Sequence, residues 1–185
     1  MKQSINDICE IRFGFYSQPV EGGNVPYVQV RQFDDQGILM SEANDFVLLD
    51  QKSEPHLLQD GDVLFVGKGN RLFAWCYRDS LGPYIASSIF FVLRPKKKII
   101  YPEYLAAILN APQTKAALLQ IGSGTNIFSL RKSELGAFQI PLLPMDEQKK
   151  VASLAGLHQK QIALSQELII QQQNLYAAII SKLIK

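Results

Sequence analysis

Apolar and polar positions alternate through the first half of the chain and switch to helical spacing beyond residue 101. Alternation with β-branched content predicts strands at 25–33 (VPYVQVRQF), 46–49, 61–66, 71–77 and 84–93, separated by Gly, Asp and Pro. PEYLAAILN from Pro102 reads as a helix. Pro112 suits the first position of a second helix, QTKAALLQI, which runs up to Gly122-Ser-Gly124. The bland reading of that glycine pair is a helix C-cap in the left-handed conformation. Residues 129–135 predict one helical turn capped by Ser129, and 137–143 a closing strand punctuated by Pro141 and Pro144.

From Asp146 to Lys185 there is no proline and one glycine, Gly156, which predicts a single helix of about 40 residues, roughly 60 Å long. Asp146 and Glu147 at its start and Lys182 and Lys185 at its end agree with the helix dipole. Ile162, Ile169, Tyr176 and Leu183 recur every seven residues, with Leu168 and Leu175 beside them and Leu154 and Ile179 extending the apolar set. Ser165 and Gln172 interrupt the seam. A helix this long outruns a small domain, so the seam is expected to pack on a partner helix. The expected fold class is α+β: a β-rich globular domain over 1–143, then a long coiled-coil-forming helix over 144–185.

Composition fits this picture: 47% hydrophobic and 19% charged residues in 185 describe a globular protein with one ordinary core. The start, MKQSINDICEIRF, has no apolar leader, and the longest uncharged apolar run, 82–93, is too short to span a bilayer. A cytoplasmic location without membrane contact is expected. Cys9 and Cys76 are too far apart in sequence for a zinc motif and read as buried free thiols. The net charge is only +2, but residues 61–100 hold seven Lys/Arg against two Asp/Glu. A basic middle of that kind suits a phosphate-facing surface, although Lys96-Lys97-Lys98 after Pro95 also reads as a solvated loop.

Catalytic patterns are weak. Gly122-Ser-Gly124 lacks the Lys-Ser/Thr pair of a P-loop and follows a helix rather than a strand. His56 and His158 stand apart from any Cys or His at ligand spacing and from any serine elbow. Asp50-Gln-Lys52 at a strand end, with Asp34 and Asp35 upstream, is the arrangement a Mg²⁺-dependent nuclease would use, but such triplets are common by chance. No cofactor fingerprint or metal motif follows from the sequence.

Several segments, taken in order, resemble specificity subunits of type I restriction-modification enzymes: GNVPYVQVRQFDDQGIL, LQDGDVLFVGKGNRLFAWCY, YIASSIFFVLRPKKKIIYPEYLAAILN and GSGTNIFSLRKSELGAFQIPLLPMDEQKKVASL. The last is the most telling, with a polar loop, Leu130, Leu135, IPLLP and Glu147-Gln148 leading into a helix. The resemblance implies a DNA target-recognition domain joined by this hinge to a spacer helix. Family members carry two recognition domains and two antiparallel helices, each domain reading half of a split target while methyltransferase subunits dock alongside. This chain holds one of each, as a half-size subunit beginning at its own Met would. Its partners would be double-stranded DNA, methyltransferase subunits and through them the restriction subunit. A second copy or another half-subunit would pair through the helix, and catalysis would lie in the partner subunits.

Candidate DNA-reading residues are chosen by chemistry. Gln29 with Arg31, the Lys68-Gly69-Asn70-Arg71 turn, and Thr125, Asn126, Arg131 and Lys132 of the hinge combine donors with loop placement. Arg and Lys suit guanine and phosphate, and Asn and Gln suit adenine. Two other classes compete: the Mg²⁺ nuclease around Asp50 and Lys52, and a helical module that binds only protein.

Overall fold

The computed structural model describes residues 1–34, 37–40, 45–122 and 128–184, and the chain divides into two compact units, 1–149 and 150–185. The first unit opens with β1 (Lys2–Ser4), one helical turn α1 (Ile5–Ile8) and β2 (Cys9–Phe13). At the start of α1 the Ser4 hydroxyl accepts from the Asp7 N–H while the Asp7 carboxylate accepts from the Ser4 N–H, a reciprocal cap. There follow β3 (Val25–Val28), β4 (Phe46–Val47), β5 (Val63–Val66), β6 (Lys68–Gly69), β7 (Ala74–Cys76), β8 (Ile85–Ala86) and β9 (Phe90–Pro95).

Two expected strands are corrected. The 25–33 stretch is extended only to Val28 and then turns through a 3-10 segment, Val30–Gln32, where the Gln32 side-chain oxygen accepts from the Gln29 N–H at 2.9 Å. The 84–93 run is two strands in two sheets, broken where the Phe90 N–H donates to the Ser87 carbonyl at 3.0 Å. One apolar run thus serves both layers, which alternation within the run does not reveal.

The main sheet has the order β2-β9-β5-β7 and is antiparallel, with Ile11 opposite Leu93 and Val63 opposite Leu93 on its other side. The second sheet, β4-β3-β8, pairs β3 with β8 in parallel. All four residues of β5 are at most 1% exposed, as expected of a central strand covered on both faces. Phe33 packs between Phe73, Trp75 and Phe90 at centroid distances of 5.0, 5.4 and 5.9 Å. At the edge strand β7 the Asn110 amide mimics a strand: its oxygen accepts from the Ala74 N–H (3.0 Å) and its NH₂ donates to the Ala74 carbonyl (2.7 Å). That pairing covers an edge otherwise open to association. Asp62, 1% exposed, takes both arms of the Arg94 guanidinium at 2.9 and 2.7 Å, so its buried charge is matched.

The helices α2 (Pro102–Asn110) and α3 (Pro112–Ile121) each begin at the proline, as the sequence predicts. Gly122 ends α3 at φ −66°, not in the left-handed region; here glycine serves close approach, since a Cβ would run into the Phe128 ring. The chain resumes at β10 (Phe128–Ser129), then α4 (Lys132–Ala137) and β11 (Gln139–Pro141). Ser129 therefore lies in a strand and does not cap the turn; the Glu134 carboxylate does, accepting from the Arg131 N–H at 2.7 Å. β11 pairs antiparallel with β1, Gln3 opposite Ile140, so the two ends of the unit close on each other.

The helix α5 (Met145–Leu183) begins inside the first unit. Gln148 in its first turn is 1% exposed: its oxygen accepts from the Tyr101 N–H (2.8 Å), and its NH₂ donates to the Ile99 (3.1 Å) and Leu143 (2.8 Å) carbonyls. In the second unit Leu154, Leu168, Ile169, Leu175, Tyr176, Ile179 and Leu183 are exposed and Ile162 is partly so. No helix among the described residues is long and apolar enough to cross a membrane.

Replacing Gln148 by Ala removes its hydrogen bonds to three backbone groups and should destabilise the first unit by about 3 kcal/mol in a denaturant titration. Gln148→Glu would set a carboxylate against two carbonyls, raising its folded pKa above the ordinary 4.3. A raised acid pKa means stability present at low pH and lost as pH rises, so this variant should lie closer to the parent at pH 4 than at pH 7.

Candidate nucleic-acid interface

Residues 68–69 and 128–129 are sixty positions apart and pair as β6 and β10, with Ser129 opposite Lys68 and Phe128 opposite Gly69. The Leu130 N–H extends the pairing by donating to the Gly67 carbonyl at 2.8 Å, and the Leu130 side chain is buried. At Gly67 the Phe91 ring packs directly on the backbone, where a Cβ would collide with it. Gly69 at φ +126° allows the turn that leaves Lys68 and Asn70 exposed. On the far side α4 is seated on α1, where a Cβ at Gly136 would strike the Asn6 amide. Arg131 and Lys132 are exposed, and the Lys132 ammonium lies 5.9 Å from the centroid of the Phe13 ring.

Arg71 joins this cluster to the other candidates. Its guanidinium donates to the Phe33 carbonyl at 2.7 Å and to the Val30 carbonyl at 2.6 Å, tying the 68–71 turn to the 3-10 segment that carries Arg31. Arg31 itself pairs with Asp45, and the Gln29 amide donates to the same carboxylate oxygen at 2.9 Å. Gln29 and Arg31 thus meet at Asp45, Arg71 holds the segment that carries them, and the β6–β10 pairing brings Lys68 opposite Ser129, two positions before Arg131. Thr125 and Asn126 lie outside the described residues. Sequence reasoning missed Phe13, 54% exposed beside Lys132, and missed Asp45 as the shared partner of Gln29 and Arg31. In the sequence Phe13 lies more than a hundred positions from Lys132, so no local pattern links the two.

Much of the positive charge of residues 61–100 is matched within the fold. Arg78 pairs with Asp60 and Glu103, Arg94 with Asp62 and Lys97 with Asp60, while Lys96 donates to the Asp7 carbonyl. The Lys97 ammonium, together with Arg78 and the Asp79 N–H, holds the Asp60 carboxyl below its ordinary range.

The Asp50-Gln-Lys52 motif forms a tight turn. The Asp50 carboxylate accepts from the Lys52 and Ser53 N–H groups, both at 2.8 Å, and those bonds lower its pKa. No group of three His, Cys, Asp or Glu that could hold a metal ion occurs among the described residues. Cys9 and Cys76 are unpaired, and burial raises their thiols to about 12 and about 11, far from a nucleophilic thiolate at neutral pH. The His56 ring lies against Phe15, with centroids 4.9 Å apart and planes tilted by 42°.

The fold is shared with solved specificity subunits. The HsdS subunit from Thermoanaerobacter tengcongensis superposes with a TM-score of 0.65 at 18% identity, over 94% of this chain and 45% of that one. The type I restriction-modification S subunit of M. genitalium gives 0.62 at 12% identity, over 88% and 40%. A chain from a structure on complex assembly and conformational transition of the type I R-M system gives 0.59 at 19%, over 89% and 39%. This chain thus spans less than half the length of the subunits it matches. A search of curated proteins gives no match. The family of type I restriction modification DNA specificity domains matches residues 1–173, a span that includes the β-rich unit and most of the long helix, and the chain belongs to that family.

Proposed function

We propose that this chain is a non-catalytic DNA sequence-specificity subunit of a type I restriction-modification system. The family match over residues 1–173 carries this reading. Residues 1–143 form the target-recognition domain and read one half of a split target through the surface of Gln29, Arg31, Lys68, Asn70, Arg131 and Lys132. The helix from 144 onward docks methyltransferase subunits, which bring the restriction subunit, and its exposed seam packs on the helix of a second copy or another half-subunit. Exposure of Ile169, Tyr176 and Leu183 along one heptad line supports that pairing, because an apolar stripe of that length is costly to leave in water. The tight turn at Asp50 gives the nuclease alternative no support.

Binding to duplex DNA should weaken as salt rises. Lys68→Ala and Lys132→Ala should each reduce the slope of log K against log salt by about one contact. Arg71→Ala should act differently: it removes the guanidinium that links the Val30 and Phe33 carbonyls to the 68–71 turn and should lower the denaturation midpoint. Unchanged slopes for both lysine variants would remove that cluster from the interface.

The complex of this chain with its methyltransferase partner should methylate a split palindrome, each copy of the chain reading the same half-site, because a two-fold pairing presents identical domains. Sequencing of methylated sites checks this. Methylation of a continuous, asymmetric target, or sedimentation of the chain as a monomer at high concentration with its helix intact, would contradict the paired reading.

A further inference from the structure

We infer that Phe13 and the pocket beside it receive the 5-methyl group of a thymine in the major groove, a contact that rests on the DNA-reading role proposed above. Phe13 ends β2 directly opposite Phe91, with ring centroids 5.2 Å apart, so the ring is held by the sheet while remaining 54% exposed. A single exposed apolar side chain is ordinary. This one borders a pocket of about 160 Å³ whose walls include Phe13, Ile89, Phe91 and Leu130 and whose polar lining includes Lys68 and Ser129. Ile89 is also open, at 42%. Gly67 also lines the pocket, where the Phe91 ring lies against its backbone, and the β6–β10 pairing brings Ser129 and Leu130 to its wall.

Its surroundings select the occupant. Lys68 in the lining and Lys132 over the ring, with Arg131 next in the chain, suit a polyanion rather than an apolar protein surface. Against the major groove, aliphatic and aromatic walls offer base edges no hydrogen bond. The feature they can recognise there is the thymine methyl, which distinguishes A·T from G·C and T from C. With the Lys132 ammonium already over the ring, Phe13 is poorly placed as a stacking platform and meets DNA through its edge and the pocket.

The test uses the full chain with its methyltransferase partner and duplexes carrying the half-site mapped by methylation. Each thymine is replaced in turn by deoxyuridine, which lacks only the methyl. At one position per half-site, deoxyuridine should weaken binding about fourfold, the effect of losing one buried CH₂ group. Phe13→Ala should bring that ratio to about one, whereas Phe13→Leu, which keeps an apolar group at the strand end, should retain most of it. Circular dichroism of both variants should match the parent. A ratio unchanged in Phe13→Ala, no thymine position with an effect, or a half-site free of A·T pairs overturns the contact while leaving selective methylation intact. Loss of all sequence-selective methylation in the parent complex would instead overturn the specificity reading, and this contact with it.

Discussion

The primary amide of Gln148 joins two stretches of backbone, donating to the carbonyls of Ile99 and Leu143 and accepting from the N–H of Tyr101. A buried amide must use its hydrogen-bonding groups, and glutamine has the one side chain of this length that offers an acceptor and two donors together. Leu143 follows β11, which is held against β1, and the Tyr104 hydroxyl donates to the Pro141 carbonyl at 2.8 Å. The first turn of α5 is thereby locked to the strand that closes the domain. The same closure sets α4 on α1 and, one step back along the chain, lays β10 on β6. The candidate interface thus depends on a fastening made elsewhere in the domain.

Charge in this fold is arranged by pairing rather than by segment. The basic stretch 61–100 draws on Asp60, Asp62 and Glu103 for Arg78, Arg94 and Lys97, leaving much less positive field than the residue count implies. Lys68, Arg131 and Lys132 come from two separate stretches and form a basic site only because β6 and β10 meet. Arg71 adds a different contribution: its charge serves two backbone carbonyls, which keeps the segment bearing Arg31 in place.

These features explain what was legible in the sequence. Pro102 and Pro112 announced the starts of α2 and α3 because proline is tolerated in a first helical turn and not inside one. The apolar run within 61–66 announced a strand, though not its central place in the sheet, and the proline-free stretch from Asp146 announced the long helix. By contrast β1, β2 and β6 are two to five residues long and pair with partners more than fifty positions away, so no local period marks them. Gly122 was visible as a helix end, but its reason, the Phe128 ring packed against it, belongs to tertiary structure. Likewise Gln29 and Arg31 were recognisable as donors, while the Asp45 carboxylate that engages both was not.

Mass-spectrometric footprinting of lysine acetylation, with and without the methylated-site duplex, tests most directly whether DNA lies on the surface built by β6 and β10. The account predicts that Lys68 and Lys132 lose reactivity when the full chain and its methyltransferase partner bind the duplex, while Lys52 in the Asp50 turn and Lys98 keep theirs. Protection of Lys98 with Lys68 and Lys132 still reactive would place DNA elsewhere on the domain and contradict the account.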